Sequence, residues 1–100
     1  MSPTRAPVRF AFSPARFRAL LDVHRGGVRF GNGLGAPAGY RRDAGAGAPP
    51  DERALSELWR ADLIDLVTAD LFAAGGQRVV LTAAGRDLLY EWEAQALGAA

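Results

Sequence analysis

The chain has 100 residues, a length that suits one modest globular domain, and its formal net charge is +1. It contains no cysteine, which excludes disulfides, thiolate metal sites and a cysteine nucleophile. With 49% hydrophobic and 23% charged residues it is too apolar for wholesale disorder, and it lacks the roughly 18–20-residue apolar run that crosses a bilayer. Because the first residues also lack the apolar core of a secretory signal, we expect a cytoplasmic protein with no membrane partner.

The small net charge hides an asymmetry between the two halves of the chain. Residues 1–50 carry eight arginines and two aspartates, whereas residues 51–100 carry four arginines and nine acids. Every basic residue other than the single histidine is arginine. This composition is typical of a GC-rich genome, but it also suits phosphate binding, because the guanidinium fork matches phosphate oxygens. The asymmetry therefore leaves nucleic-acid contact open, beside simple packing of one half against the other.

The N-terminal part of the chain predicts an arm and a first helix. Residues 1–12 are expected to form a flexible arm that could hold a short strand, since the apolar residues at 8, 10 and 12 alternate. Ser13 can cap a helix, and Pro14 suits its first position. Gly26 and Gly27 end the helix, because glycine readily takes the left-handed conformation of a C-cap. The stripe expected to face the core or its edge consists of Phe17, Leu20, Leu21 and His24.

A segment rich in glycine and proline follows a short predicted strand at residues 28–30. Residues 31–50 hold six glycines and three prolines, a density that opposes both a stable helix and a long strand. We therefore expect a long loop that has a tight turn at Asn32-Gly33 and is mobile at residues 44–48.

The second half predicts the order helix, strand, tip, strand, helix. Asp51 can cap the first of these helices, and Thr82 the last. β-branched residues at 64–67 predict a strand, the alanines and glycines up to residue 76 predict a tip, and residues 78–81 predict the return strand. Residues 96–100 are expected to fray. The helical residues expected to face the core are Leu55, Leu58, Trp59 and Leu63 in the first helix, and Leu88, Leu89 and Trp92 in the last.

Nothing in the sequence points to catalysis. His24 is the single histidine and has no carboxylates at suitable spacing to complete a metal site. The glycines from Gly31 to Gly35 lack the lysine of a P-loop and the spacing of a dinucleotide-binding fold, so turn chemistry explains them better. We expect no enzyme activity, no catalytic residue, no metal and no cofactor.

The segment from Leu55 to Trp92 resembles winged helix-turn-helix transcription regulators, most nearly the MarR-like and PadR-like kinds. The matching pieces are Leu55-x-x-Leu58-x-x-Ala61-Asp62-Leu63-Ile64, in which such regulators usually have glycine at the position of Asp62, and Val80-Leu81-Thr82-x-x-Gly85-Arg86-x-Leu88-Leu89. The resemblance implies an α+β winged helix at residues 13–95, with three helices and a two- or three-stranded antiparallel wing. It further implies that the helix before the first ribbon strand reads the major groove, and that the ribbon touches the DNA backbone or minor groove.

Two features depart from the family pattern. The family's second helix would fall in the glycine-rich residues 31–50, which form a poor helix. The expected DNA-reading helix is also acidic, whereas a helix in the major groove normally brings cations and amides to phosphates and base edges. Its acids are Asp51, Glu52, Glu57 and Asp62.

The function that the resemblance implies is that of a small protein that binds double-stranded DNA and regulates transcription. Phosphate contacts are expected from Arg41, Arg42, Arg53, Arg60 and Arg78. Base-edge contacts are expected from Arg53, Ser56 and Arg60, and minor-groove contacts from Arg5 and Arg9. The alternative is a protein-interaction module without DNA binding, or a homodimer formed through the first and last helices. Exposed aromatic anchors would then be Trp92, Tyr90 and Phe72.

Overall fold

The computed structural model describes residues 10–43 and 48–98. Arg5 and Arg9 of the predicted arm lie outside the described residues, as does most of the loop segment predicted to be mobile. Within the described ranges the chain is α+β, with three helices and one four-stranded antiparallel sheet. The elements are α1 (Pro14–His24), β1 (Val28–Gly31), β2 (Gly39–Arg42), α2 (Glu52–Arg60), β3 (Ile64–Leu66), β4 (Gln77–Leu81) and α3 (Ala83–Gly98), with a 3-10 turn at Thr68–Asp70 between β3 and β4.

All three predicted helix caps are confirmed. Ser13 Oγ accepts from the Arg16 amide at 3.1 Å, and Asp51 Oδ1 accepts from the Ala54 amide at 3.0 Å. Thr82 Oγ1 accepts from the Gly85 amide at 3.1 Å. Each cap satisfies a backbone N–H that the first helical turn leaves without a partner. The end of α1 is likewise as predicted, since Gly26 takes the left-handed conformation, with φ of 75°.

The sheet has four strands in the order β2–β1–β4–β3, and neighbouring strands are antiparallel. The prediction of a two- or three-stranded wing is therefore wrong in its strand number. The prediction of an unbroken loop at 31–50 is wrong at β2, which pairs along β1 from Val28 opposite Arg42 to Gly31 opposite Gly39. Glycines at this hairpin's ends permit the tight return, and the rings of Phe30 and Tyr40, 4.9 Å apart, hold the strands together.

The three helices pack on one face of this sheet, where α1 contacts α2, α3 and β4. Val28 of β1, with Val79 and Leu81 of β4, supplies the sheet side of the core. The helix side is supplied by Ala19, Leu20 and Val23 of α1, Ala54, Leu55 and Leu58 of α2, and Leu89 and Trp92 of α3. Because the side chains of a strand alternate between its faces, the residues between these core positions point to the opposite face of the sheet.

Several predictions about burial and element ends are wrong. Trp92 is only 4% exposed, and the rings of Phe10 and Phe12 lie 6.3 and 5.1 Å from it. Its predicted place on the core side of the last helix is therefore confirmed, and its alternative role as an exposed anchor is wrong. Trp59, expected in the core, is 46% exposed, and His24 is exposed. Phe10 and Phe12 themselves lie in no strand, and α3 remains helical through Gly98. The fraying expected at residues 96–100 stays a prediction.

No helix in the described ranges is both long enough and apolar enough to span a membrane.

Candidate nucleic-acid interface

The turn that ends α2 explains the first piece of the family-like sequence. Asp62 has φ of 63°, and it is the one non-glycine residue with positive φ among those the structure describes. The Leu63 amide donates to the Leu58 carbonyl at 2.9 Å, and the Asp62 amide donates to the Trp59 carbonyl at 3.0 Å. These two bonds form a Schellman cap, in which glycine is the usual residue at the left-handed position. Aspartate also tolerates this conformation, so the cap forms without glycine.

The start of α3 explains the second piece. Thr82 donates through its amide to the Leu63 carbonyl at 3.0 Å and through Oγ1 to the Asp62 carbonyl at 2.8 Å. Gly85 lies so close to the Leu63 backbone that a Cβ added to the glycine would lie 2.0 Å from the Leu63 carbonyl oxygen. The threonine and the glycine therefore bring the first turn of α3 against the turn between α2 and β3. This junction fixes the orientation of α2 relative to the sheet.

Three of the four carboxylates that make α2 acidic in sequence accept hydrogen bonds within the molecule, and the fourth, Asp62, is exposed. Asp51 caps the helix, and Glu52 Oε1 accepts from the Tyr40 amide at 3.1 Å. Glu57 accepts two hydrogen bonds from Arg16 of α1, at 3.3 and 3.2 Å. The hydrogen bonds from Arg16 hold the pKa of Glu57 below its ordinary value, so this carboxylate stays ionised and paired.

The arginines of α2 are used differently from its acids. Arg53 and Arg60 are exposed, and between residues 10–43 and 48–98 neither side chain makes a hydrogen bond or salt bridge. Ser56 lies between them, half-buried, at the spacing that places all three on one side of the helix. The structure therefore brings together the three residues predicted to reach base edges.

An open cleft of about 320 Å³ adjoins this side of α2. One wall of the cleft is formed by α2. The opposite wall is formed by Phe30 of β1, Tyr40 of β2 and Leu66 of β3. The residues around the cleft are Phe30, Tyr40, Ser56, Trp59, Arg60 and Leu66. Burial, followed by the nearby Glu52 carboxylate, raises the pKa of the Tyr40 phenol, which therefore stays protonated at neutral pH. The cleft thus pairs neutral aromatic surface with one free guanidinium.

A second group of arginines crosses the outer face of the sheet. Arg29 of β1 lies opposite Arg41 of β2 and opposite Arg78 of β4, so the three share the face that points away from the helices. Sequence reasoning missed Arg29, because only the register of three strands places it between the other two. Alternation along Val28-Arg29-Phe30 was the one sequence signal for its outward direction.

Two of these sheet arginines are held by acids. Arg78 binds Asp70 through Nε at 2.7 Å and through Nη2 at 3.3 Å, and these bonds lower the pKa of Asp70 and raise that of Arg78. Arg29 binds Asp43 at 3.2 Å and the Gly76 carbonyl at 3.0 Å. Arg41, half-buried, makes no side-chain hydrogen bond or salt bridge to the described parts of the chain.

Arg42 points to the opposite face of the sheet from Arg41. Its guanidinium binds Asp22 of α1 at 3.3 Å and the Ala48 carbonyl at 2.8 Å. The predicted phosphate contacts therefore do not share one surface. Arg53 and Arg60 lie on α2, Arg41 and Arg78 lie on the outer sheet face, and Arg42 ties β2 to α1.

Within the described ranges there is no group of three or more histidines, aspartates or glutamates that could hold a metal ion. A scan against protein-family models, a search of curated proteins and a search of solved structures each returned no match. Inference about function therefore rests on the arrangement of the residues described above.

Proposed function

We propose that this chain is a small winged-helix DNA-binding protein that regulates transcription, and that α2 enters the major groove of double-stranded DNA. The chain order supports this assignment, because α2 precedes a ribbon of β3 and β4 and β1 lies against the inner strand of that ribbon. In chain order, β2 stands where such proteins have their second helix. The hairpin of β1 and β2 would then replace that helix as the support for α2, through the bond from Tyr40 to Glu52.

The observation that carries this proposal is the division of charges on α2. Glu57 is bound by Arg16 of α1, and Asp51 and Glu52 accept hydrogen bonds from backbone amides. Arg53 and Arg60 are exposed and make no hydrogen bond or salt bridge to the described residues. The salt bridge from Arg16 offsets the charge of Glu57 and so lessens the repulsion that this acidic helix would meet at phosphates.

The roles proposed for the remaining predicted residues follow from their positions. Arg41 remains available for phosphate at the edge strand, whereas Arg42 and Arg78 would first have to leave Asp22 and Asp70. Arg5 and Arg9 lie outside the described residues, and their minor-groove contacts stay predictions.

Fluorescence anisotropy with a labelled random-sequence duplex tests the proposal. We expect binding at low salt, and the logarithm of the association constant should fall by about 0.9 per tenfold rise in salt for each phosphate contacted. Selection of bound sequences from a random pool should then enrich a common site. Absence of binding at about 50 mM salt, where electrostatic contacts are strongest, would contradict the proposal.

A second function, homodimerisation through α3, is favoured by one specific feature. Tyr90 and Leu97 are 73% and 79% exposed and share the side of α3 that points away from Trp92. An antiparallel pair of α3 helices centred on Tyr90 would place each Leu97 on the other copy's first turn and each Arg86 beside the other copy's Glu93. The mass in solution, measured by light scattering for the wild type and for Tyr90→Ser/Leu97→Ser, tests it. A wild-type mass equal to that of one chain would contradict it.

A further inference from the structure

The cleft beside α2 is bordered by a tryptophan that the fold leaves in solvent. Trp59 lies on the expected core stripe of α2, but it is 46% exposed, and it lines the cleft of about 320 Å³. A single exposed apolar side chain is ordinary in a globular protein. Here, however, the indole lies beside two further aromatic side chains, which makes the cleft a candidate site for a ligand.

The two other aromatic side chains belong to the opposite wall of the cleft. Phe30 of β1 and Tyr40 of β2 are cross-strand partners, and both are only partly buried. Their ring centroids lie 4.9 Å apart, with 58° between the ring planes. Strand pairing therefore holds two rings at one wall, while α2 holds the third at the other.

The polar groups of the cleft are two hydroxyls and one cation. Ser56 and Tyr40 can each donate and accept a hydrogen bond, because the raised pKa of the Tyr40 phenol keeps it protonated at neutral pH. The Arg60 guanidinium is exposed and has no hydrogen bond or salt bridge to any residue that the structure describes. None of the residues that line the cleft is acidic. The cleft therefore carries a net positive charge.

Aromatic surface beside a free guanidinium favours a ligand that is both flat and anionic. Flat ring systems stack on aromatic side chains, and a guanidinium pairs with phosphate oxygens. The volume lies near the lower end of the range of about 300–1,000 Å³ for small-ligand sites, so it suits one planar group. A nucleobase with its phosphate has this chemistry. In a duplex both faces of a base are covered, so the base must be unstacked to enter.

We propose that the cleft binds one unstacked base of a single-stranded nucleic acid, which stacks on Trp59 and Tyr40 while its phosphate pairs with Arg60. This inference goes beyond the proposed duplex binding, although both use Ser56 and Arg60. Single-strand binding proteins combine the same two elements, aromatic platforms and a basic surface that follows the backbone.

A second cation on α2 favours a strand over a free nucleotide. Arg53 is exposed and lies on the same side of α2 as Arg60, seven positions earlier. Their Cα atoms are therefore separated by roughly 10 Å along the helix axis. A strand that continues past the cleft along α2 would meet this second guanidinium, whereas one nucleotide would leave it unused.

Two other ligands match the cleft less closely. Methylated ammonium groups bind aromatic cages through the negative ring faces, but such a cation would be repelled by Arg60. An acidic peptide would pair with Arg60, but its carboxylates bring no ring to stack on the aromatic walls. A base with a phosphate uses both the rings and the charge.

Anisotropy titrations with a labelled, mixed-sequence single strand of DNA test the proposal. We expect the wild type to bind at low salt and Trp59→Leu to bind about tenfold more weakly, with an unchanged salt slope because no phosphate contact is lost. Arg60→Gln should instead lower the slope by about 0.7, the value for one phosphate of a single strand. Phe72→Leu is the matched control, since it removes a ring that is 73% exposed outside the cleft.

A second measurement needs no variant. Stacking of a base on Trp59 should quench tryptophan emission when the single strand is added to the wild type. Trp92 is 4% exposed, so its emission should stay constant. An abasic strand of the same length supplies the phosphates without the bases, and we expect it to bind more weakly and to cause no quenching.

The outcomes separate this inference from the proposed function. Wild type that binds duplex but no single strand would overturn the inference and leave the proposed function standing. Wild type that binds the single strand with quenching, but no duplex, would support the cleft and overturn the proposed function. Equal affinity for the abasic strand, or for poly-glutamate, would overturn base stacking. A mononucleotide that binds as tightly as the strand would overturn the strand as the ligand.

Discussion

The arginines of α2 and those of the outer sheet face differ in whether neighbouring carboxylates bind their guanidinium groups. On α2, each of the acids Asp51, Glu52 and Glu57 is bonded to something other than an arginine of the same helix. Arg53 and Arg60 consequently keep their donors. On the sheet, nearby aspartates bind the guanidinium groups of two of three arginines directly.

This difference means that local charge counts mislead in both directions. The helix that is acidic in sequence presents free cations, whereas the row of arginines on the sheet is largely neutralised. Whether a guanidinium is available to a partner depends on which carboxylate the fold places within hydrogen-bonding distance of it. Arg16 and Glu57, for example, are bonded to each other although 41 positions separate them in sequence. On the proposed function, the DNA contact would therefore lie at α2.

The largest expected effect comes from displacing α2 altogether, through Gly85→Ala. The added methyl group would overlap the Leu63 carbonyl, and the junction of α3 with the α2 turn must open to admit it. We expect the free energy of unfolding in urea to fall by about 3 kcal/mol, with loss of DNA binding. Gly98→Ala on the same helix is the control, because nothing lies within 4 Å of a Cβ there. Equal stability of the two variants would show that the junction is not tight.

A smaller effect is expected from removing the free cations of α2. Arg53→Ala/Arg60→Ala should bind DNA more weakly, and the slope of binding against salt should drop by about 1.8 if each arginine meets one phosphate. Arg29→Ala/Arg78→Ala removes the same number of arginines from the sheet face. Its slope should stay that of the wild type. If the slope dropped for the sheet variant and not for the α2 variant, the DNA interface would lie on the sheet.

Releasing a paired arginine beside α2 should strengthen binding. Glu57→Gln removes a carboxylate of α2 and releases Arg16 from its salt bridge, so the salt slope should rise by up to about 0.9 and affinity should increase. Asp70→Asn frees Arg78 on the other face of the sheet and should leave DNA binding unchanged. Anisotropy titrations at several salt concentrations measure both variants. A gain with Asp70→Asn alone would contradict the assignment.

The smallest expected effect is a loss of stability in acid. The pKa values of Glu57 and Asp70 are lowered in the folded protein from ordinary values of 4.5 and 3.8. The unfolded chain therefore binds protons first, so both pairs stabilise the fold above those ordinary values and lose their contribution as the pH falls through the lowered pKa. Melting temperatures measured from neutral pH into acid should decline less steeply for Glu57→Gln and Asp70→Asn. Curves parallel to the wild type's would contradict this.

Features set by neighbouring residues were predictable from sequence. The caps at Ser13, Asp51 and Thr82 depend on side chains within three positions of the bonds they make. Asp62, at the position where the resembled regulators usually have glycine, takes a positive φ. Placing Arg53, Ser56 and Arg60 on one side of a helix needed helical spacing alone.

Features set by distant residues were not predictable. The strand β2 forms in a segment dense in glycine, because pairing with β1 outweighs the weak local preference. Helical spacing placed both tryptophans on core stripes, and it did not reveal that Trp59 stays exposed while Phe10 and Phe12 pack on Trp92. The row of arginines through Arg29 requires the register of three strands.

The most direct test of the account is a map of backbone amide shifts on adding a short duplex to the isotope-labelled protein. We predict that the largest shifts fall on Arg53, Ser56 and Arg60 of α2. Amides of Arg29 and Arg78, the two sheet arginines that are paired with aspartates, should move little. Shifts centred on the strands that carry those two arginines, with α2 unperturbed, would contradict the assignment of α2 as the DNA-reading helix.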